Sequence, residues 1–154
     1  MGFAVLLDTS FLLPSFGVDT GDTIRRCLRC LSEHKHKVKI YYSRYSILEA
    51  VLILLREVRR GRLKLGEAYE MVEVGVSTVV YSLEAVDECP RVFRDALKLY
   101  GMEHRDIFDN ILYSTALTGG MYLLTVDKKL KMFIRENGLK DVTLDPEGLL
   151  KKLL

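Results

Sequence analysis

Apolar and polar positions change period repeatedly along the chain, and each change marks an element. Phe3 to Leu7 (FAVLL) is a continuous apolar run of strand length without alternation, the pattern of a strand covered on both faces. It ends at Asp8, and Phe11-Leu12-Leu13-Pro14 reads as a short helical turn or a loop. After a loop over Gly17 to Asp22, the residues Ile24, Cys27, Leu28 and Leu31 recur at helical spacing to about Glu33, with Thr20 or Asp22 as the cap. Val38 to Tyr42 (VKIYY) is the second predicted strand. Ser43 then opens a helix from about Arg44 to Arg60, stopped at Gly61, whose apolar stripe is read as Leu48, Val51, Leu52 and Leu55. A second helix, about Leu65 to Val74, forms a hairpin with it through the basic connector RRGRLK. The β-branched segment Ser77 to Ser82 (STVVYS) is predicted as a strand.

In the C-terminal half, Pro90 places a helix start near Cys89, and Gly101 closes that helix after Tyr100. Ile107, Ile111, Leu112, Ala116 and Leu117 predict a helix that stops at Gly119-Gly120, and Met121 to Thr125 follows as a short buried strand. Lys128 to Asn137 is a helix closed by Gly138. A last strand lies around Val142 to Leu144, and Asp145-Pro146-Glu147 starts a terminal helix with proline at a favoured position. The order β-α-β-α-α-β-α-α-β-α-β-α predicts an α/β fold: one three-layer α/β/α domain over residues 1–154 with a mostly parallel central sheet of about five strands.

Composition narrows the function classes. A hydrophobic fraction of 49% supports one real core, and a formal net charge of +2 gives no global field that marks a nucleic-acid binder, so any basic patch is local. The amino terminus is apolar but is interrupted by Asp8 and lacks a basic leader or small-residue cleavage site, so an intracellular, cytoplasmic protein is expected. The run Ile47 to Leu55, broken by Glu49, is far short of the roughly 20 residues of a membrane span. Cys27, Cys30 and Cys89 have no companion Cys/His cluster at zinc-ligand spacing, and Cys27 and Cys30 read as small apolar residues sharing a helix face. The sequence has no glutamine and only Asn110 and Asn137, while Lys, Arg and Glu abound, a bias that suits a thermophilic source.

The candidate chemistry lies in four acids. Asp8 and Asp127 each follow a predicted strand, at the carboxyl edge where open α/β sheets place ligand sites. Asp109 sits in the first turns of its helix, with Asp106 one turn earlier, and Glu49 lies inside the aliphatic run ILEAVLILL. Taken singly each has a structural reading: Asp8 and Asp127 as caps, Asp106 and Asp109 as dipole-stabilised first-turn acids, Glu49 as the partner of Arg44, Arg56 or Arg105. Jointly they predict convergence, because parallel strands send their ends and the adjoining helix starts to one edge. Carboxylates about 5 Å apart repel by roughly 3 kcal/mol per pair at an effective dielectric near 20, so such a cluster calls for a divalent cation or raised pKa values. An all-oxygen donor set selects Mg²⁺ or Mn²⁺ over zinc.

The segments LLDTSFLL, SILEAVLILL and DIFDNILYSTALTGGMYLLTVD resemble the spaced acidic motifs of the PIN domain family, which includes the VapC-type toxin ribonucleases, and the resemblance covers nearly the whole chain. It implies a metal-dependent endoribonuclease leaving a 5′-phosphate and a 3′-hydroxyl. Mg²⁺ or Mn²⁺ would be held by Asp8, Glu49, Asp109 and Asp127, with Ser10, Thr125 and Asp106 in support and Glu49 as the group that orients or deprotonates the nucleophile. Many relatives carry a further acid at the position of Lys129, a departure that bears on a second metal. The resemblance also implies a homodimer and, for a toxin, an antitoxin protein as partner. RNA held near an acidic pocket needs surrounding positive charge, for which Arg56, Arg59, Arg60, Arg62 and Lys64 at the hairpin tip and Lys128, Lys129 and Lys131 beyond the last acid are the candidates. The basic run Arg25 to Lys39 reads as a solvated helix face. Tyr41, Tyr42 and Tyr45 read as packing residues, and His34, His36 and His104 show no ligand spacing. The competing classes are a PIN-like module that binds RNA or protein without cleaving, and a phosphotransfer or receiver domain. Against the latter, Asp8-Thr9-Ser10 lacks a second aspartate two residues on, and no GxxxxGK loop is present.

Overall fold

A computed structural model describes residues 2–154. The elements run β1 (Phe3–Leu7), α1 (Thr9–Leu12), a 3₁₀ turn (Leu13–Phe16), α2 (Asp22–Glu33), β2 (Val38–Tyr42), α3 (Arg44–Arg59), α4 (Leu65–Ser82), β3 (Glu84–Ala85), α5 (Pro90–Gly101), α6 (Ile107–Gly119), β4 (Tyr122–Leu124), α7 (Lys128–Glu136), β5 (Thr143–Leu144) and α8 (Pro146–Leu153). The five strands form one sheet in the order β3-β2-β1-β4-β5, and every pairing is parallel. The chain builds outward from β1 through β2 to β3, then crosses back to place β4 on the other side. β1 and β4 therefore flank the switch point at which open parallel sheets leave a crevice beyond their carboxyl ends.

Side chains of β1 alternate between two cores. Val5 and Leu7 pack with Phe11, Phe16, Leu31, Leu54, Val79 and Leu149 on one face, while Leu6 packs with Leu112, Tyr113, Leu123, Leu130 and Ile134 on the other. A small third cluster of Val92, Ala96 and Ile111 ties α5 to α6. No helix among the described residues is long and apolar enough to cross a membrane.

Two sequence-based expectations fail in the hairpin. The segment Ser77 to Ser82 is the last part of α4, and the third strand is the short Glu84–Ala85. Its β-branched residues are helical because Ala68, Met71, Val72, Gly75, Val76 and Val79 form one inward face with helical period, and packing overrides strand propensity. In α3 the inward residues are Ser46, Ala50 and Leu54, whereas Leu48, Leu52 and Leu55 of the predicted stripe are exposed. The run ILEAVLILL is apolar on nearly every side, so periodicity could not choose its inner face. At α2 the cap position falls on Gly21 (φ 92°), with Asp22 one residue inside the helix.

Gly75 marks where α4 crosses the 3₁₀ turn, since a Cβ there would lie 2.4 Å from two ring atoms of Phe16. Gly75→Ala is expected to destabilise the protein by about 1–3 kcal/mol through displacement of the Phe16 ring, measured by urea unfolding. An unchanged midpoint would show that the ring yields freely.

Candidate metal centre

The carboxyl ends of β1 and β4 are bound together before any ligand is considered. The Asp8 N–H donates to the Leu124 carbonyl at 3.0 Å. Asp8 caps α1, its Oδ1 accepting from the Thr9 N–H at 2.6 Å, and its Oδ2 accepts from the Thr125 hydroxyl at 2.7 Å. That hydroxyl also accepts from the Asp127 N–H at 3.0 Å, so one side chain fixes the first acid against the loop carrying the last. Asp127 caps α7, with Oδ1 accepting from the N–H groups of Lys129 and Leu130 at 2.9 and 3.0 Å. Glu49 projects from the second turn of α3, where its Oε2 accepts from the Thr9 hydroxyl.

The remaining acids come from α6. Asp106 is its cap, accepting from the Asp109 N–H at 3.2 Å, and Asp109 lies one turn in. Asn110 holds this helix start: its side-chain amide donates to the His104 carbonyl at 2.7 Å, and its Oδ1 stands 2.6 Å from His104 Nδ1. The adjoining Glu103 takes a left-handed φ of 76°. His104, which showed no ligand spacing, is thus a structural clasp. The sequence reading also missed Thr9, which sits beside the conspicuous Asp8 but announces nothing of its reach to Glu49, 40 residues away.

Asp8, Ser10, Glu49, Asp106, Asp109 and Asp127 all line one cavity of about 260 Å³. The salt bridges among the described residues leave these five acids out. Arg105 pairs with Glu103 at 2.7 Å, and Arg60 and Arg62 pair with Glu57 at 3.1 and 3.4 Å. Glu49 therefore has none of the arginine partners its structural reading required, although Arg56 lies near enough to temper its charge. The result is a set of raised pKa values. Burial pushes Asp109 up to about 9, reinforced by the carboxyl of Asp127 within hydrogen-bonding reach and by the charges of Asp106 and Asp8. Burial also raises Asp8 and Glu49, opposed by Thr125 and Thr9 respectively.

Such a donor set has the chemistry of a hard-cation site: only carboxylate and hydroxyl oxygens, negative in excess, at a sheet rim. No three His, Cys, Asp or Glu side chains among the described residues are spaced to ligate one ion directly. Of the predicted RNA-binding residues, Lys128 and Lys129 stand in the first turn of α7 beside Asp127, while Arg56, Arg59, Arg60 and Arg62 lie in the last turns of α3 and the connector after it.

Three comparisons bear on this arrangement. A family model described as PIN domain matches residues 5–134. A search of curated proteins finds no match. Among solved structures, the chain is similar to PAE2754 from Pyrobaculum aerophilum, at 22% identity and a TM-score of 0.63 over 99% of this chain and 98% of that one. It is also similar to VapBC2 from Rickettsia felis bound to a DNA fragment from their promoter, at 16% identity and a TM-score of 0.59 over 93% and 98% of the two chains. VapBC-1 from nontypeable Haemophilus influenzae is similar at 12% identity and a TM-score of 0.57 over 94% and 99%. At these identities the likeness is one of fold.

The raised pKa of Asp109 has a stability consequence. Between the unfolded value near 4 and the folded value of about 9, the folded metal-free protein holds a proton that the unfolded chain has released. That contribution is fully present below about pH 4 and is lost as pH rises through about 9. The metal-free protein should therefore melt progressively lower from pH 5 to pH 9 in EDTA, and Asp109→Asn should flatten the trend and melt at least ~3 °C higher than wild type at pH 8. A variant that melts lower than wild type at pH 8 would contradict this.

Proposed function

The chain belongs to the PIN domain family, and from that premise we propose that it is a Mg²⁺- or Mn²⁺-dependent endoribonuclease whose site is Asp8, Glu49, Asp109 and Asp127. The observation that carries the reading is the gathering of these four acids, with Asp106, on one cavity at the switch point of the sheet, without a basic side chain paired to any of them among the described residues. A bound divalent ion would supply positive charge for the phosphate and would acidify the attacking water. Asp8, Asp109 and Asp127 would hold the ion directly or through water. Thr125 keeps the first and last of these in register, and the caps at α6 and α7 fix the approach of the others.

Glu49 is the proton acceptor in this reading. Thr9 occupies its Oε2 and leaves Oε1 to receive a proton, and burial raises its basicity. Ser10 lines the same cavity and supports the metal oxygens or the phosphate. The fold shared with the two VapBC structures supports a toxin role with an antitoxin protein as partner.

Purified protein given mixed single-stranded RNA and Mn²⁺ should cleave it to 5′-phosphate ends, with EDTA or Asp109→Asn reducing the rate at least ~100-fold. In parallel, the melting temperature of wild type should climb with Mn²⁺ concentration. Cleavage by Asp109→Asn at the wild-type rate would assign the activity to a contaminant. A melting temperature that rises with Mn²⁺ while no RNA is cut would instead identify a metal-binding module without nuclease activity.

A further inference from the structure

Beside the acidic cavity lies a second, open one of about 420 Å³, bordered by the ends of β4 and β5 and the starts of α2, α7 and α8. Val126 and Asp127 line both, so the two spaces adjoin across the loop that carries the last acid. Its volume falls in the ~300–1,000 Å³ range of small-ligand sites. Its polar wall includes Thr23, Lys128, Lys131 and Thr143.

The charges on that wall are unevenly engaged. Asp127 Oδ1 accepts two backbone N–H groups, Asp145 Oδ1 accepts from the Gly148 N–H at 2.7 Å, and Glu147 pairs with Lys151 at 2.8 Å. Lys128 and Lys131 have no carboxylate partner within 4.0 Å among the described residues, and Lys131 is half-buried. At the hairpin tip Arg60 and Arg62 both converge on Glu57, while Arg56, Arg59 and Lys64 have no carboxylate partner within 4.0 Å among the described residues. The partly covered stem of Lys131 limits where its ammonium can stand, and an ammonium without a carboxylate partner is open to an anion. Free cations therefore stand on the α7 side of the acids.

We propose that this cavity receives the nucleotide adjoining the scissile phosphate of single-stranded RNA, with Lys131 and Lys128 neutralising its phosphate and the Thr23 hydroxyl facing its sugar. The proposal rests on the nuclease reading and deepens it. One unpaired nucleotide fits such a space and a base pair does not, so the cavity selects unstacked RNA over duplex.

The test measures binding and needs no cleavage. Fluorescence anisotropy of a labelled tetraribonucleotide is followed in Mg²⁺ at several NaCl concentrations, in an Asp109→Asn background. Adding Lys131→Met should raise Kd about tenfold and flatten the slope of log K against log salt by about 0.7, the loss of one phosphate contact on a single strand. Lys131→Arg should keep both values near the parent, and a duplex long enough to stay paired, with the same sequence inside it, should compete at least ~10-fold more weakly. Lys131→Gln, checked with Lys131→Met by circular dichroism, guards against a folding defect in either. An unchanged Kd and salt slope in both neutral variants would overturn the proposal, as would equal competition by the duplex. RNA binding that depends on Lys131 in a wild-type protein that cuts nothing would sustain the cavity and refute the nuclease. Cleavage with Lys131-independent binding would do the reverse.

Discussion

Negative charge withdrawn from water without a counter-charge is the constraint around which the molecule is arranged. Asp8 and Asp109 are buried, Glu49 and Asp127 are partly so, and Asp106 adds a fifth carboxylate to the same cavity wall. None is relieved by an ion pair among the described residues, and the hydrogen bonds they accept do not keep Asp109 ionised, as its pKa of about 9 records. A fold selected for stability alone would have an arginine or an apolar side chain there. The strain of a destabilised cluster is tolerable because the surrounding sheet and helices fix it, which is the usual condition of a site held ready for a ligand.

The supporting structure is economical. Parallel pairing brings the ends of β1 and β4 side by side, and the register Leu7 with Leu124 puts Asp8 and Thr125 next to each other. Two threonines then do most of the positioning: Thr125 joins Asp8 to the Asp127 backbone, and Thr9 reaches across to Glu49 on α3. Each of Asp8, Asp106 and Asp127 also caps a helix, so part of every carboxylate is satisfied by backbone N–H groups while the rest faces the cavity. The structural and chemical roles weighed against each other in the sequence are held by the same side chains at once.

Much of this was legible in the chain itself. Elements with one dominant period, such as β1, α2 and α6, carry their faces openly, and glycine and proline punctuate them at Gly120, Gly138, Pro90 and Pro146. The acids were findable because Asp8 and Asp127 interrupt apolar runs at strand ends and Glu49 interrupts one in a helix. What escaped was decided by tertiary contact. The inner face of α3 depends on which side meets α1 and α4, and the helical state of Ser77 to Ser82 depends on the packing of the inward face of α4. Thr9, Asn110 and His104 escaped for a related reason, since their partners are defined only once the chain has folded.

The claim that this cavity holds uncompensated acids for a divalent cation is tested most directly by counting protons. Titration calorimetry of Mn²⁺ into the protein at pH 7, in two buffers of different ionisation enthalpy, reports how many protons leave as the ion binds. With Asp109 protonated up to about pH 9, wild type should release at least one proton per ion, and Asp109→Asn should release about one fewer. Binding by wild type with no proton exchanged, or no binding at millimolar Mn²⁺, would contradict the account.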